Sequence, residues 1–126
     1  MNNACLKYIP SKKPEIKFEK RPWGNFQQFS ENIPSTVKII TVNANEKISL
    51  QFHRERDEFW RILSGKCIVT IGDDTFQAKK NDKFFIPREA SHRIEALSLP
   101  VEILEISFGK FYEDDIVRIE DAYERV

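Results

Sequence analysis

The sequence predicts an all-β domain folded as an antiparallel sandwich or barrel. Three observations carry that expectation. Short stretches rich in Val, Ile, Phe and Thr recur with turn residues between them. Several alternate apolar and polar residues, as a strand with one buried face does. Before Gly109 no helical periodicity of useful length interrupts them.

Size and composition agree with one such domain. The chain has 126 residues, and ten Phe, two Trp and three Tyr supply the bulk for one core. Twenty Lys and Arg balance twenty Asp and Glu, so the basic surplus that nucleic-acid binding needs is missing. No apolar run approaches the ~20 residues that span a bilayer. The N-terminus also lacks the layout of a signal peptide. A cytoplasmic chain with neither nucleic-acid nor membrane partner is expected. Cys5 and Cys67 show no metal-binding spacing. A disulfide between them stays open, although a cytoplasmic chain keeps both reduced. Cys67 sits in an apolar run and reads as a small core residue.

Residues 1–20 read as an extended N-terminal arm, because Pro10, Pro14 and Pro22 disfavour a helix there. Within it, 16–19 can add a strand to a neighbouring sheet or subunit. Residues 21–126 form the domain proper. Arg21-Pro22-Trp23-Gly24 enters a strand over 25–30, and Asn32-Ile33-Pro34-Ser35 reads as a turn. The β-branched run in 36–42 makes the next strand. In 47–53, Ile48, Leu50 and Phe52 share one face, while Ser49, Gln51 and His53 share the other. Strands at 58–63 and 66–71 flank a tight turn at Ser64-Gly65. Gly72-Asp73-Asp74 turns the chain into 75–78. A short strand at 83–86 ends at Pro87, and 91–97 and 101–108 bring the total to eight or nine. Beyond Gly109, Ile116, Ile119 and Tyr123 fit a short helix by spacing, while 115–119 fits an edge strand equally well.

The chemistry concentrates between Ser49 and His92. Gln51 and His53 lie on one strand face, and Glu58 and His92 join them if the strands fold over one another. Two imidazoles, a carboxylate and an amide oxygen form a plausible shell for a divalent metal. The chain has only two histidines, and both fall in this pattern. Zinc is the first expectation, and the ligand types also suit Co, Mn, Ni or Fe. Gln51 is the weak donor, and a supporting hydrogen bond is its alternative role.

The order Gln51-x-His53, Glu58, Gly65, Pro87, His92 resembles the two cupin motifs, in which His-x-His, Glu and a distal His bind metal inside a small β-barrel. Flanking segments narrow the likeness. Arg21-Pro22-Trp23-Gly24, Ile48-Ser49-Leu50-Gln51-x-His53, Glu58-x-Trp60 and Glu113-Asp114-Asp115-Ile116-Val117-Arg118 look like the type II mannose-6-phosphate isomerase cupin domain, over roughly residues 20 to 125. The resemblance implies a double-stranded β-helix, or jelly-roll barrel, ending in a short helix or strand. It implies metal-dependent interconversion of mannose 6-phosphate and fructose 6-phosphate, and a homodimer. In that family the domain often follows a guanylyltransferase domain. This chain has no Gly-rich nucleotide loop and reads as a free-standing isomerase half.

Glu95 and Glu105 are the candidate bases that move a proton between C1 and C2, with Arg93 beside them. Lys38, Arg56, Arg93 and Arg118 are candidates for phosphate or hydroxyl contacts. An epimerase or isomerase of another phosphorylated or nucleotide-linked sugar is the alternative, as is a non-enzymatic metal- or sugar-binding cupin. The family usually has Gly where Asn45, Asn81 and Glu89 stand. Asn tolerates positive φ at small cost. Glu89 lies just before His92 and is expected to crowd or charge the mouth of the barrel.

Overall fold

The computed structural model describes residues 16–123. The expected arm over 1–15, with Cys5, lies outside the described residues, as do 124–126. Eleven strands and no helix appear among the described residues. The first two, β1 (Lys17–Arg21) and β2 (Gly24–Gln28), form a separate hairpin through Pro22-Trp23. Residues 17–20 of the expected arm are therefore one side of this hairpin.

The remaining nine strands make two sheets. One has the order β3-β10-β5-β8, built from Ser35–Val42, Val101–Gly109, Arg56–Ser64 and Lys83–Ile86. The other has the order β11-β4-β9-β6-β7, built from Val117–Glu120, Leu50–Phe52, His92–Ala96, Cys67–Ile71 and Asp74–Ala78. Every pairing is antiparallel. The C-terminal segment resolves as an edge strand rather than a helix.

The inner faces of the two sheets share a core of Trp60, Ile62, Cys67, Val69, Ile94, Val101 and Ile103, all without exposure. Alternation produces it: in β9, His92, Ile94 and Ala96 are buried, while Arg93 and Glu95 are only partly so. β5 is buried on both faces over its first five residues. Its outward Phe59 joins Ile106 and Phe108, and Ile16, Phe29 and Leu104 cover them. Val37 and Ile39 on the edge strand β3 remain 60% and 63% exposed.

One element is shorter than the sequence implies. Of the strand expected over 47–53, only Leu50–Phe52 forms, with an isolated bridge between Lys47 and Glu95. The Arg93 side chain explains the break. Its Nε donates to the Ile48 carbonyl at 2.9 Å, taking an acceptor that a regular ladder would use.

Turns carry the local strain. Asn45, Asn81 and Glu89 have φ of 62°, 76° and 69°. At each position the residue itself bears the cost of a left-handed turn. For Asn that cost is small, whereas an ordinary side chain costs about 1–2 kcal/mol. At the Ser64-Gly65 turn φ is +84°, and an added Cβ would lie 2.4 Å from the Pro100 carbonyl oxygen, so only glycine fits.

Candidate metal centre

Polar side chains gather on the inner faces at one end of the barrel. On the five-stranded sheet Gln51 stands directly between Arg118 of β11 and His92 of β9. On the four-stranded sheet Glu58 lies between Ser107 of β10 and Ile86 of β8. Two residues further along, Glu105 lies between Trp60 and Lys38. Opposed residues of an antiparallel pair point the same way, so each row is a line of inward side chains.

His53 follows β4 and meets Glu58 across the interior. Its Nε2 is 3.5 Å from Glu58 Oε2, and His92 Nε2 is 3.4 Å from Oε1. All three residues are buried, and their ligand atoms lie within 4.8 Å of one another. The tautomers follow from the other ring nitrogens. His53 Nδ1 lies 2.6 Å from the Asp115 carbonyl, and His92 Nδ1 lies 2.9 Å from the Ala90 carbonyl. A carbonyl only accepts, so each Nδ1 carries the proton and each Nε2 turns a lone pair toward Glu58.

Glu58 Oε1 and His92 Nε2 are buried and lack a hydrogen-bond partner. Two acceptors facing each other across 3.4 Å are unfavourable unless a proton or cation joins them. A divalent ion satisfies both at once, and two imidazoles with a carboxylate suit it chemically. The residues present fit a metal on this ground. Burial holds both imidazoles down at about 4, favouring the neutral form a metal requires. Burial also pushes the Glu58 carboxyl up. Glu105 rises to about 7, through burial first and the neighbouring Glu58 charge second.

The other expected site residues divide. Gln51 lies beside the three, but its amide nitrogen faces His53 Nε2 at 3.3 Å and its oxygen accepts from Ser49. The supporting hydrogen bond is thus the role its present orientation fits. Glu105 is at the centre, with Trp60 Nε1–H donating to its Oε2 at 3.2 Å. Arg56 is buried and donates to Glu58 Oε2 at 3.3 Å and to the Tyr112 carbonyl at 3.2 Å. Its guanidinium also covers the Phe111 ring at 4.3 Å, as does the Lys38 ammonium. Lys38 reaches Glu113 only at 4.0 Å. Arg118 shares the inner row with Gln51 and His92, and its buried Nε has no partner.

Two expectations are corrected. Arg93 and Glu95 alternate with His92, so they leave β9 on its outer side. There Arg93 is bound to Ile48 and Glu120, including an Nη1–Oε1 contact of 2.8 Å. It fastens β9 to the segment before β4 and to β11, and Glu95 pairs across from Ile68 away from the cluster. Glu89 lies where expected, on the loop before His92: its side chain is exposed and does not enter the buried cluster, while its N–H donates to the His53 carbonyl. Trp60 and Asp115 were not foreseen as site residues. Trp60 was within reach of the sequence, since it lies two positions from Glu58 on the same strand. The Asp115 and Ala90 carbonyls had no such signal, because any residue can offer one.

Comparisons with known proteins bear on the family and the fold. The family model described as mannose-6-phosphate isomerase C-terminal matches residues 12–121. The xanthan biosynthesis protein XanB of Xanthomonas campestris pv. campestris (strain B100) is 39% identical over 107 residues, 83% of this chain and 23% of that protein. The alginate biosynthesis protein AlgA of Pseudomonas aeruginosa is also 39% identical, over 83% of this chain and 22% of its own. The chain thus spans under a quarter of the length of these curated relatives. Among solved structures, a cupin protein from Bacteroides fragilis superposes with a TM-score of 0.56 at 24% identity, covering 64% of this chain and 74% of that one. That likeness establishes the fold, a cupin jelly roll. No helix among the described residues is long and apolar enough to cross a membrane. Barrel, cluster and family match converge on one assignment: the chain belongs to the mannose-6-phosphate isomerase C-terminal family, as a cupin-type domain of the type II kind.

Proposed function

We propose that this chain is a metal-dependent sugar-phosphate isomerase that interconverts mannose 6-phosphate and fructose 6-phosphate. One observation carries the reading: a buried His53–Glu58–His92 cluster has a second carboxylate, Glu105, beside it on the same inner face. The family match supports the substrate class. His53, Glu58 and His92 would hold a divalent ion, zinc first, with Gln51 alongside. When bound, the ion supplies Lewis-acid polarisation of the sugar carbonyl and offsets negative charge that develops on its oxygens.

The chain's own groups do the rest. Glu105 takes the proton from C2 of the aldose and returns it to C1. A second proton passes between the two sugar oxygens, so nothing is oxidised or lost overall. Trp60 fixes one oxygen of Glu105 and so fixes the direction of its free lone pairs. Arg56 balances the Glu58 charge inside the barrel. Arg118 and Lys38 are the inner-row cations left to bind the phosphate.

The test is the reaction itself. The chain loaded with Zn2+ should form fructose 6-phosphate from mannose 6-phosphate. Glu105→Gln should lower kcat by about 100- to 10,000-fold and still bind Zn2+. A loaded wild-type chain that forms no fructose 6-phosphate rejects the reading.

A further inference from the structure

The segment joining β10 to β11 supports the cluster from a distance. The Asp115 carbonyl accepts from His53 Nδ1 at 2.6 Å, across 62 positions of sequence. The Asp115 carboxylate then spans two backbone donors of the turn after His53. Oδ1 accepts from the N–H of Arg54 and Oδ2 from the N–H of Glu55, both at 2.9 Å. One residue therefore grips the His53 turn with its side chain and the His53 ring with its main chain. His92 has no comparable support, because its Nδ1 donates to Ala90 in its own loop.

We propose that Asp115 is a positioning residue of the metal centre, whose carboxylate clamps the 53–55 turn so that its own carbonyl holds His53 Nε2 toward Glu58. The inference rests on reading the His53–Glu58–His92 cluster as a metal centre. Its physical basis is pre-organisation. Without the clamp the imidazole can still reach the ion, but its turn and ring must be ordered at the moment of binding. Hydrogen-bond partners one step behind a metal ligand typically govern affinity by about 10- to 100-fold. The rest of the segment does not depend on this carboxylate. The Asp115 N–H donates to the Tyr112 carbonyl, and Arg56 holds that carbonyl as well. Removal of the side chain should therefore loosen the alignment of His53 without releasing the segment. By reciprocity, a bound ion must tighten the clamp by the factor by which the clamp tightens the ion.

Titration of the full chain with Co2+, followed by its visible absorption, tests this. Asp115→Ala should bind Co2+ about 10- to 100-fold more weakly and shift the absorption bands, because the His53 geometry around the ion changes. Asp115→Asn keeps one acceptor oxygen and should recover part of the affinity. A role in folding alone would lower the melting temperature and leave the bands in place. Unchanged affinity and bands in Asp115→Ala overturn the proposal. If that variant does not fold, hydrogen exchange on the wild-type chain decides. The Arg54 and Glu55 amides should exchange about 10- to 100-fold more slowly with Co2+ bound, and unchanged rates overturn the proposal. A wild-type chain that takes up no Co2+ overturns the metal reading as well, whereas normal uptake by wild type and variant alike overturns only the role of Asp115.

Discussion

Strand β5 enters the barrel with Arg56 and Glu58 and leaves it with Ile62; β10 runs the other way, from Ile103 to Glu105 and Ser107. The same two strands thus build both ends of the interior. At the closed end Ile62, Cys67, Val69, Ala96, Val101 and Ile103 pack without a buried charge among them. At the mouth the buried residues include His53, Arg56, Glu58, His92, Glu105 and Ser107, with Ser49 and Asp57 beside them. Burying the closed end lowers the free energy of folding at about 25 cal/mol per Å² of apolar surface. Burying the mouth raises it, since desolvation drives two imidazoles and two carboxyls toward neutrality. The two ends teach that the site is tolerated because an apolar plug two or three residues away offsets it. Function and stability are divided along each strand rather than between separate elements.

Three changes probe that division. Ile103→Ala has the largest expected effect. It should cost about 2–5 kcal/mol in urea denaturation and leave Co2+ affinity unchanged. A tenfold loss of affinity would show that the ends are mechanically joined.

A second change uses the one titratable side chain among those packed at the closed end. Burial first, and Asp82 second, push the Cys67 thiol up from its ordinary value to about 11. A raised thiol favours the protonated folded form, so its contribution is complete below pH 9 and is lost as pH climbs toward 11. Relative to Cys67→Ala, the wild type should lose about 2–3 kcal/mol over that window. Parallel stability curves for the two chains would mean that the plug is open to water.

The smallest effect belongs to the mouth. Glu89→Gly removes a side chain from a backbone with φ of 69°. Thermal denaturation should show a gain of about 0.5–1 kcal/mol, the left-handed penalty less the extra freedom of glycine when unfolded. A loss instead would show that the Glu89 side chain holds the loop by contacts of its own.

The sequence made the centre of the site readable because two rules coincide there. Period-two alternation put Gln51 and His53 on one face, and two histidines left little choice of ligands. The same alternation, applied further, excludes Arg93 and Glu95. Each is an odd number of positions from His92 along one strand, and the structure places both outside. Strand positions were legible for 83–86, which forms as expected, and within two residues for most others. The strand at 47–53 was not, because its break depends on a side-chain hydrogen bond from Arg93 that no local pattern records. Asp115 lies in a segment that the resemblance singles out, but its role was hidden for a related reason. Its partners lie some sixty residues away, and half of its role is played by a backbone oxygen.

Trp60 has no exposed surface, stands edge-on to His92 at 5.3 Å between ring centres, and donates to Glu105. The only other tryptophan, Trp23, is 74% exposed at the turn of the β1–β2 hairpin. The chain therefore carries two fluorophores in opposite surroundings, one emitting from a dry interior and one from water. A paramagnetic ion held by His92 would darken the first and spare the second, so the barrel carries its own optical gauge of occupancy, with an internal reference and no added label.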